Sequence, residues 1–166
     1  MPDLQFRLVN ENGRIVSARD YRGEIVLLYF GYTECPDACP AMLTNLVQVT
    51  RRLGPLASKV RIVFVTVDPA RDTTSVLKRY VSYFGPQFDG LRGNDDALTV
   101  LTRRYRVAFH REKPDRDGNY SVEHSSGAFV FDAHGRPRLL IRESDRAEAI
   151  VADVRRLIRS DSGAAI

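Results

Sequence analysis

Residues 25–30 read IVLLYF, an unbroken apolar run. Six residues is strand length, and a strand with no polar alternation must be covered on both faces, so the run predicts the central strand of a sheet sandwiched by helices. The next segments narrow the layout. A loop rich in Gly, Cys and Pro at 31–40 leads into a helical period from Pro40, in which Leu43, Leu46, Val47, Thr50 and Leu53 share one face and Gly54-Pro55 is the stop. The strand-then-helix unit repeats: residues 60–67 form a second buried strand, and Val76, Leu77, Tyr80, Val81 and Phe84 form an apolar stripe with Asp72 or Thr73 as N-cap.

Around this centre, residues 4–9 and 15–17 read as two short strands joined by the turn Asn10 to Gly13. A third helix opens at Asn94 or Asp95 and turns Leu98, Leu101 and Tyr105 inward. A short strand at 107–109 leads into the polar segment 111–119, expected as an exposed loop or hairpin tip. Strands at 127–132 and 138–141 flank Ala133-His134-Gly135, and Ser144 or Asp145 caps a last helix. A βαβ unit followed by ββα is the layout of a thioredoxin-like three-layer α/β sandwich, here with an added N-terminal β-hairpin. With no repeat or linker, residues 1–166 read as a single domain, long enough to bury roughly 70% of its unfolded surface.

Charge excludes one class of function. The net charge of +4 comes from 25 Lys and Arg against 21 Asp and Glu, interleaved along the chain and not gathered in a stripe. Without Trp or a basic aromatic strand for stacking bases, no nucleic-acid partner is expected. The apolar runs fall far short of the roughly 20 residues of a membrane-spanning helix. Any export signal or anchor is therefore expected upstream of Met1 in a longer parent.

The whole cysteine inventory, Cys35 and Cys39, falls on the loop between the first buried strand and its helix. Ligands gather at the carboxyl ends of strands in such sheets, and a helix N-terminus favours thiolate, the form that attacks disulfides and binds metal. If 35–39 is a helical turn, positions i and i+4 allow either a disulfide or two sulfurs on one ion. A merely stabilising bridge is disfavoured, since closing so short a loop removes little unfolded-state entropy.

Two thiolates alone suit Cu(I) or Zn(II). Of three histidines, His134 sits in a predicted turn and His110 at the start of a polar loop, both most simply exposed. His124 precedes the strand at 128–131, in the loop that a thioredoxin-like sheet places across from the cysteines. Cys35, Cys39 and His124 would make a three-coordinate Cu(I) site, or a tetragonal Cu(II) site with one further ligand.

The stretch 31–40, GYTECPDACP, resembles the signature G-[YF]-T-x-C-P-D-x-C-P of the Sco/SenC copper proteins. Residues 67–73, VDPARDT, and 120–125, YSVEHS, are similar to that family's second motif and histidine loop. The resemblance implies a thioredoxin-fold domain that binds copper, as Cu(I) or Cu(II), through Cys35, Cys39 and His124. It implies support for assembly of the dinuclear CuA centre of cytochrome c oxidase, with subunit II as partner and a copper-donating chaperone upstream. It also implies a place at the periplasmic side of the bacterial inner membrane, which is favoured, or in the mitochondrial intermembrane space. Members are usually tethered by one N-terminal helix, absent from this chain.

In this reading the chain is a metal-binding chaperone more than an enzyme. The alternative is a thiol–disulfide oxidoreductase that uses Cys35 and Cys39 as a redox pair to reduce the CuA-site cysteines. Residues 120–127 contain His124 and no Pro, where thioredoxin-like reductases usually place a Pro beside the dithiol, which favours metal. A peroxiredoxin-type peroxidase needs Thr or Ser three residues before its reactive Cys, and Tyr32 and Pro36 stand there. Glu34 replaces a His common in the family and is expected to add negative charge beside the thiolates. Tyr32, Glu34, Asp37 and, with them, Asp68 and Asp72 are expected as a docking rim for the partner. For the two aspartates, a turn anchor and a helix cap are equally good readings. Met42 reads as packing.

Overall fold

The computed structural model describes residues 1–36, 38–124 and 127–163. Its main sheet has seven strands in the order β2-β1-β5-β4-β3-β8-β9. The apolar run becomes β3 (Ile25–Gly31), buried at every position. It pairs in parallel with β4 (Val60–Thr66), from Ile25 opposite Val60 to Gly31 opposite Thr66, and antiparallel with β8 (Ala128–Phe131). The expected hairpin is present as β1 (Arg7–Asn10) and β2 (Ile15–Ser17), with Gly13 at φ 78° in its turn. β9 (Pro137–Ile141) closes the other edge.

Helices cover both faces because neighbouring residues of a buried strand point opposite ways. Tyr29 of β3 stacks towards Phe64 of β4, and Phe64 towards Tyr80 of α2 (Thr74–Phe84), at ring separations of 6.2 and 5.4 Å. Phe30 faces the other way, 6.4 Å from Tyr105 of α3 (Asp95–Tyr105). This is the three-layer thioredoxin-like arrangement. α1 (Ala38–Leu53) and α4 (Ala147–Gly163) pack together, tied by Asn45 Nδ2 donating to the Asp145 carbonyl at 3.0 Å and by an Arg52–Glu148 ion pair at 3.2 Å. Among the described residues no helix is long and apolar enough to cross a membrane.

Several boundaries depart from the sequence reading. α1 starts at Ala38, ahead of Pro40, so Cys39 lies inside its first turn. β5 (Phe88–Arg92), unanticipated because Asp89 and Gly90 break its apolar pattern, extends the sheet parallel to β4. β6 (Phe109–Arg111) lies two residues later than the expected strand and pairs with β7 (Val122–His124) in a hairpin outside the main sheet. The N-caps of α2 and α3 are Thr73 and Asn94, each accepting from a backbone N–H three residues on. α4 begins beyond Ser144 and Asp145, and the Asp145 carboxylate accepts instead from the Arg142 N–H at 2.8 Å.

Asp132 organises the β8–β9 turn and yields a pH prediction. Burial pushes its pKa up, but the N–H groups of Arg136 and His134 and the guanidinium groups of Arg136 and Arg138 outweigh burial and hold it below the usual 3.8. A carboxylate with a depressed folded-state pKa contributes stability that is whole above its unfolded value and is lost as pH falls through the folded one. Asp132→Asn should therefore cost about 1 kcal/mol at pH 7. In urea melts that gap should close on acidification through the depressed wild-type value; a pH-independent gap would show that the charge contributes nothing.

Candidate metal centre

The site is built where β3 ends and α1 begins. Cys35 lies in the connecting loop, its N–H donating to the Tyr32 carbonyl at 3.2 Å. One turn on, the Cys39 N–H donates to the Cys35 sulfur at 3.5 Å, which puts both side chains on the same side of the nascent helix. Cys39 is fully buried and Cys35 nearly so, and both are reduced thiols, with no disulfide between them. Gly31 makes room for them: a Cβ there would lie 2.8 Å from Cys39 Sγ and 2.8 Å from Phe64 Cε2, so any larger residue must shift the sulfur or the ring.

Burial pushes the Cys39 thiol up to about 12, with the Cys35 sulfur adding to the rise, against an opposing pull from the Tyr32 backbone and the Tyr29 hydroxyl. The expectation of a thiol acidified by the helix N-terminus is thus reversed at Cys39, because lost hydration of the thiolate outweighs the helix field. Such a thiol stays protonated until a cation replaces the proton, so ion binding here releases protons.

Asp72 holds the cysteine loop in place. Its fully buried carboxylate accepts from the Thr33 N–H (3.0 Å), the Thr33 hydroxyl (2.6 Å) and the Thr66 hydroxyl at the end of β4 (2.6 Å). Asp68 is equally buried and accepts from the Tyr120 hydroxyl at 2.8 Å and from Arg71 Nε. Tyr32 is 3% exposed. Tyr32, Asp68 and Asp72 therefore cannot form a docking rim; their polar atoms are turned inward. Glu34 is exposed, but its carboxylate pairs with Arg71 Nη1 at 2.9 Å, so it adds no uncompensated charge beside the sulfurs. Asp37 lies outside the described residues.

Arg71 is the residue the sequence reading passed over. Its guanidinium lies 3.7 Å from the centre of the Tyr120 ring and 5.7 Å from that of Tyr32. The signal was its place between the two aspartates of the VDPARDT motif. β7 brings the His124 backbone opposite Phe109, and Val122, two residues earlier, donates its N–H to the Tyr32 hydroxyl at 3.2 Å. The His124 side chain lies outside the described residues. Among the described residues no three or more His, Cys, Asp and Glu gather as a metal cluster. His110 and His134 are exposed and Met42 is buried in the core, as expected.

The sequence profile of the SCO1/SenC family matches residues 3–159. The chain belongs to this family. Its Sco relatives include an SCO2-like protein of Rickettsia felis, 38% identical over 132 residues, which is 79% of this chain and 64% of the relative. Another is the mitochondrial SCO2 homologue of Bos taurus, 40% identical over 153 residues, or 91% of this chain and 58% of the relative. The chain thus spans less than two thirds of the length of either Sco relative. Among solved structures, ScoI of Bradyrhizobium japonicum with copper bound superposes at a TM-score of 0.86 with 34% identity, covering 95% of this chain and 99% of that one.

Proposed function

We propose that residues 1–166 form one copper-binding domain that supports assembly of cytochrome c oxidase, with Cys35, Cys39 and His124 as ligands. The observation that carries this reading is the pair of reduced, buried sulfurs one helical turn apart, in a family whose Bradyrhizobium japonicum member holds copper. The donor set suits that ion: two soft thiolates satisfy Cu(I), and one imidazole adds the harder nitrogen that Cu(II) prefers. Copper is the cargo here, destined for the CuA centre of subunit II and received from a copper-donating chaperone. On binding it, Cys35 and Cys39 lose their protons, while Asp72 keeps the loop from reorganising. The relatives include a mitochondrial protein and a bacterial one. For this chain we favour the periplasmic side of a bacterial inner membrane, with the intermembrane space as the alternative.

The test is copper titration of the reduced protein in both oxidation states. His124→Ala should weaken Cu(II) binding on the order of a hundredfold and Cu(I) binding far less, because two thiolates still satisfy the softer ion. Equal losses for the two ions would remove His124 from the ligand set.

A second reading is supported by the same pair. Sulfurs at i and i+4 can close a disulfide, so Cys35 and Cys39 can instead reduce the thiols of the CuA site by exchange. Copper and exchange compete for the same sulfurs, so bound copper should block reduction of a CuA-site peptide disulfide. Reduction at the same rate with and without copper would mean that Cys35 and Cys39 do not serve both roles.

A further inference from the structure

Among the described residues the β6–β7 hairpin, which carries His124, forms no ladder with the seven-stranded sheet. Its position relative to the cysteines therefore rests on side chains: the Tyr32 hydroxyl, which accepts from the Val122 N–H at 3.2 Å, and a larger cluster centred on Arg71. Arg71 Nε donates to Asp68 and Nη1 to Glu34 in the cysteine loop, at 2.9 Å for the latter. The flat guanidinium covers the Tyr120 ring, at the foot of β7, at 3.7 Å. Asp68 completes the connection on its other oxygen, accepting from the Tyr120 hydroxyl at 2.8 Å with Arg111 of β6 at 3.6 Å. Only a planar fork can serve two carboxylates and an aromatic face at once; a lysine ammonium cannot.

We propose that Arg71 is a positioning residue that clamps the His124 hairpin onto the cysteine loop and thereby sets how strongly the site prefers Cu(II) relative to Cu(I). The inference rests on the copper reading above. Cys35 lies in the β3–α1 loop and Cys39 in the first turn of α1, and Asp72 anchors this loop at Thr33 through bonds that do not involve Arg71. Cu(I), content with two thiolates, is therefore indifferent to the hairpin. Cu(II) needs the third ligand and bears the full cost of docking a loosened hairpin.

The experiment compares wild type with Arg71→Ala, Arg71→Lys and Tyr120→Phe, the last removing one hydroxyl in case Arg71→Ala folds poorly. In metal-free protein, amide exchange at Val122 should accelerate on the order of tenfold in Arg71→Ala, while Leu28 and Val63 in the central strands stay protected. Cu(II) affinity should fall on the order of tenfold relative to Cu(I), and Arg71→Lys should not restore it. Unchanged Val122 exchange in both Arg71→Ala and Tyr120→Phe would overturn the clamp, as would equal loss of both ions. Faster Val122 exchange alongside a His124→Ala variant of wild-type Cu(II) affinity would keep the clamp and discard the copper reading instead.

Discussion

Replacing Cys35 and Cys39 together with serine should lower copper affinity by a factor on the order of a thousand or more in either oxidation state. A serine hydroxyl is harder than sulfur and does not ionise near neutral pH, so it neither matches Cu(I) nor surrenders a proton to it. The fold should survive, because serine is close to cysteine in size and the helix around position 39 is held by its own ladder. Burying a hydroxyl where Cys39 is fully enclosed should cost about 1–2 kcal/mol. Competition against a chromophoric chelator reads affinity, and a urea melt reads stability. Wild-type affinity in the double variant would sink the site outright.

The second large effect concerns Asp72. Removing its carboxylate in Asp72→Ala strands the Thr33 N–H, the Thr33 hydroxyl and the Thr66 hydroxyl in a region with little water. The expected loss is about 2–4 kcal/mol of unfolding free energy, since a buried donor left without an acceptor bears its whole desolvation cost. The same change frees the loop between Gly31 and Cys35, so alkylation of Cys35 should accelerate in native conditions. A loss below about 0.5 kcal/mol with unaltered alkylation would mean that the loop is held by its own turn and not by Asp72.

The consequence for partner recognition is a narrower surface than the acidic rim suggested by the sequence. Asp68 and Asp72 act inward, and the exposed Glu34 is already paired with Arg71. Of Glu34, Asp68 and Asp72, Glu34 alone reaches solvent, and a partner that engages it must do so in competition with Arg71.

Much of the architecture was legible in the chain itself. IVLLYF at 25–30 can only be stable with both faces covered, the stripes of α2 and α3 have one inward face each, and a cysteine pair between a buried strand and a helix can only lie at the sheet's carboxyl edge. Periodicity and burial, which are local properties, dictate all three. β5 escaped because Asp89 and Gly90 hide its alternation, and its strand character comes from bonding to β4, a partner more than twenty residues away. The fate of the charged residues was also illegible. Asp68, Asp72 and Arg71 sit within five residues of one another, and the sequence offers each as a solvated charge, a cap or a contact. Only the tertiary structure decides, because whether a carboxylate faces water or a buried hydroxyl depends on what distant segments bring to it: Thr33 from one loop, Tyr120 from another. The same reason reverses the Cys39 thiol. A helix N-terminus is visible in sequence and favours thiolate, whereas the depth of burial that overrides it is set by Gly31, Tyr29 and Phe64 closing around the sulfur.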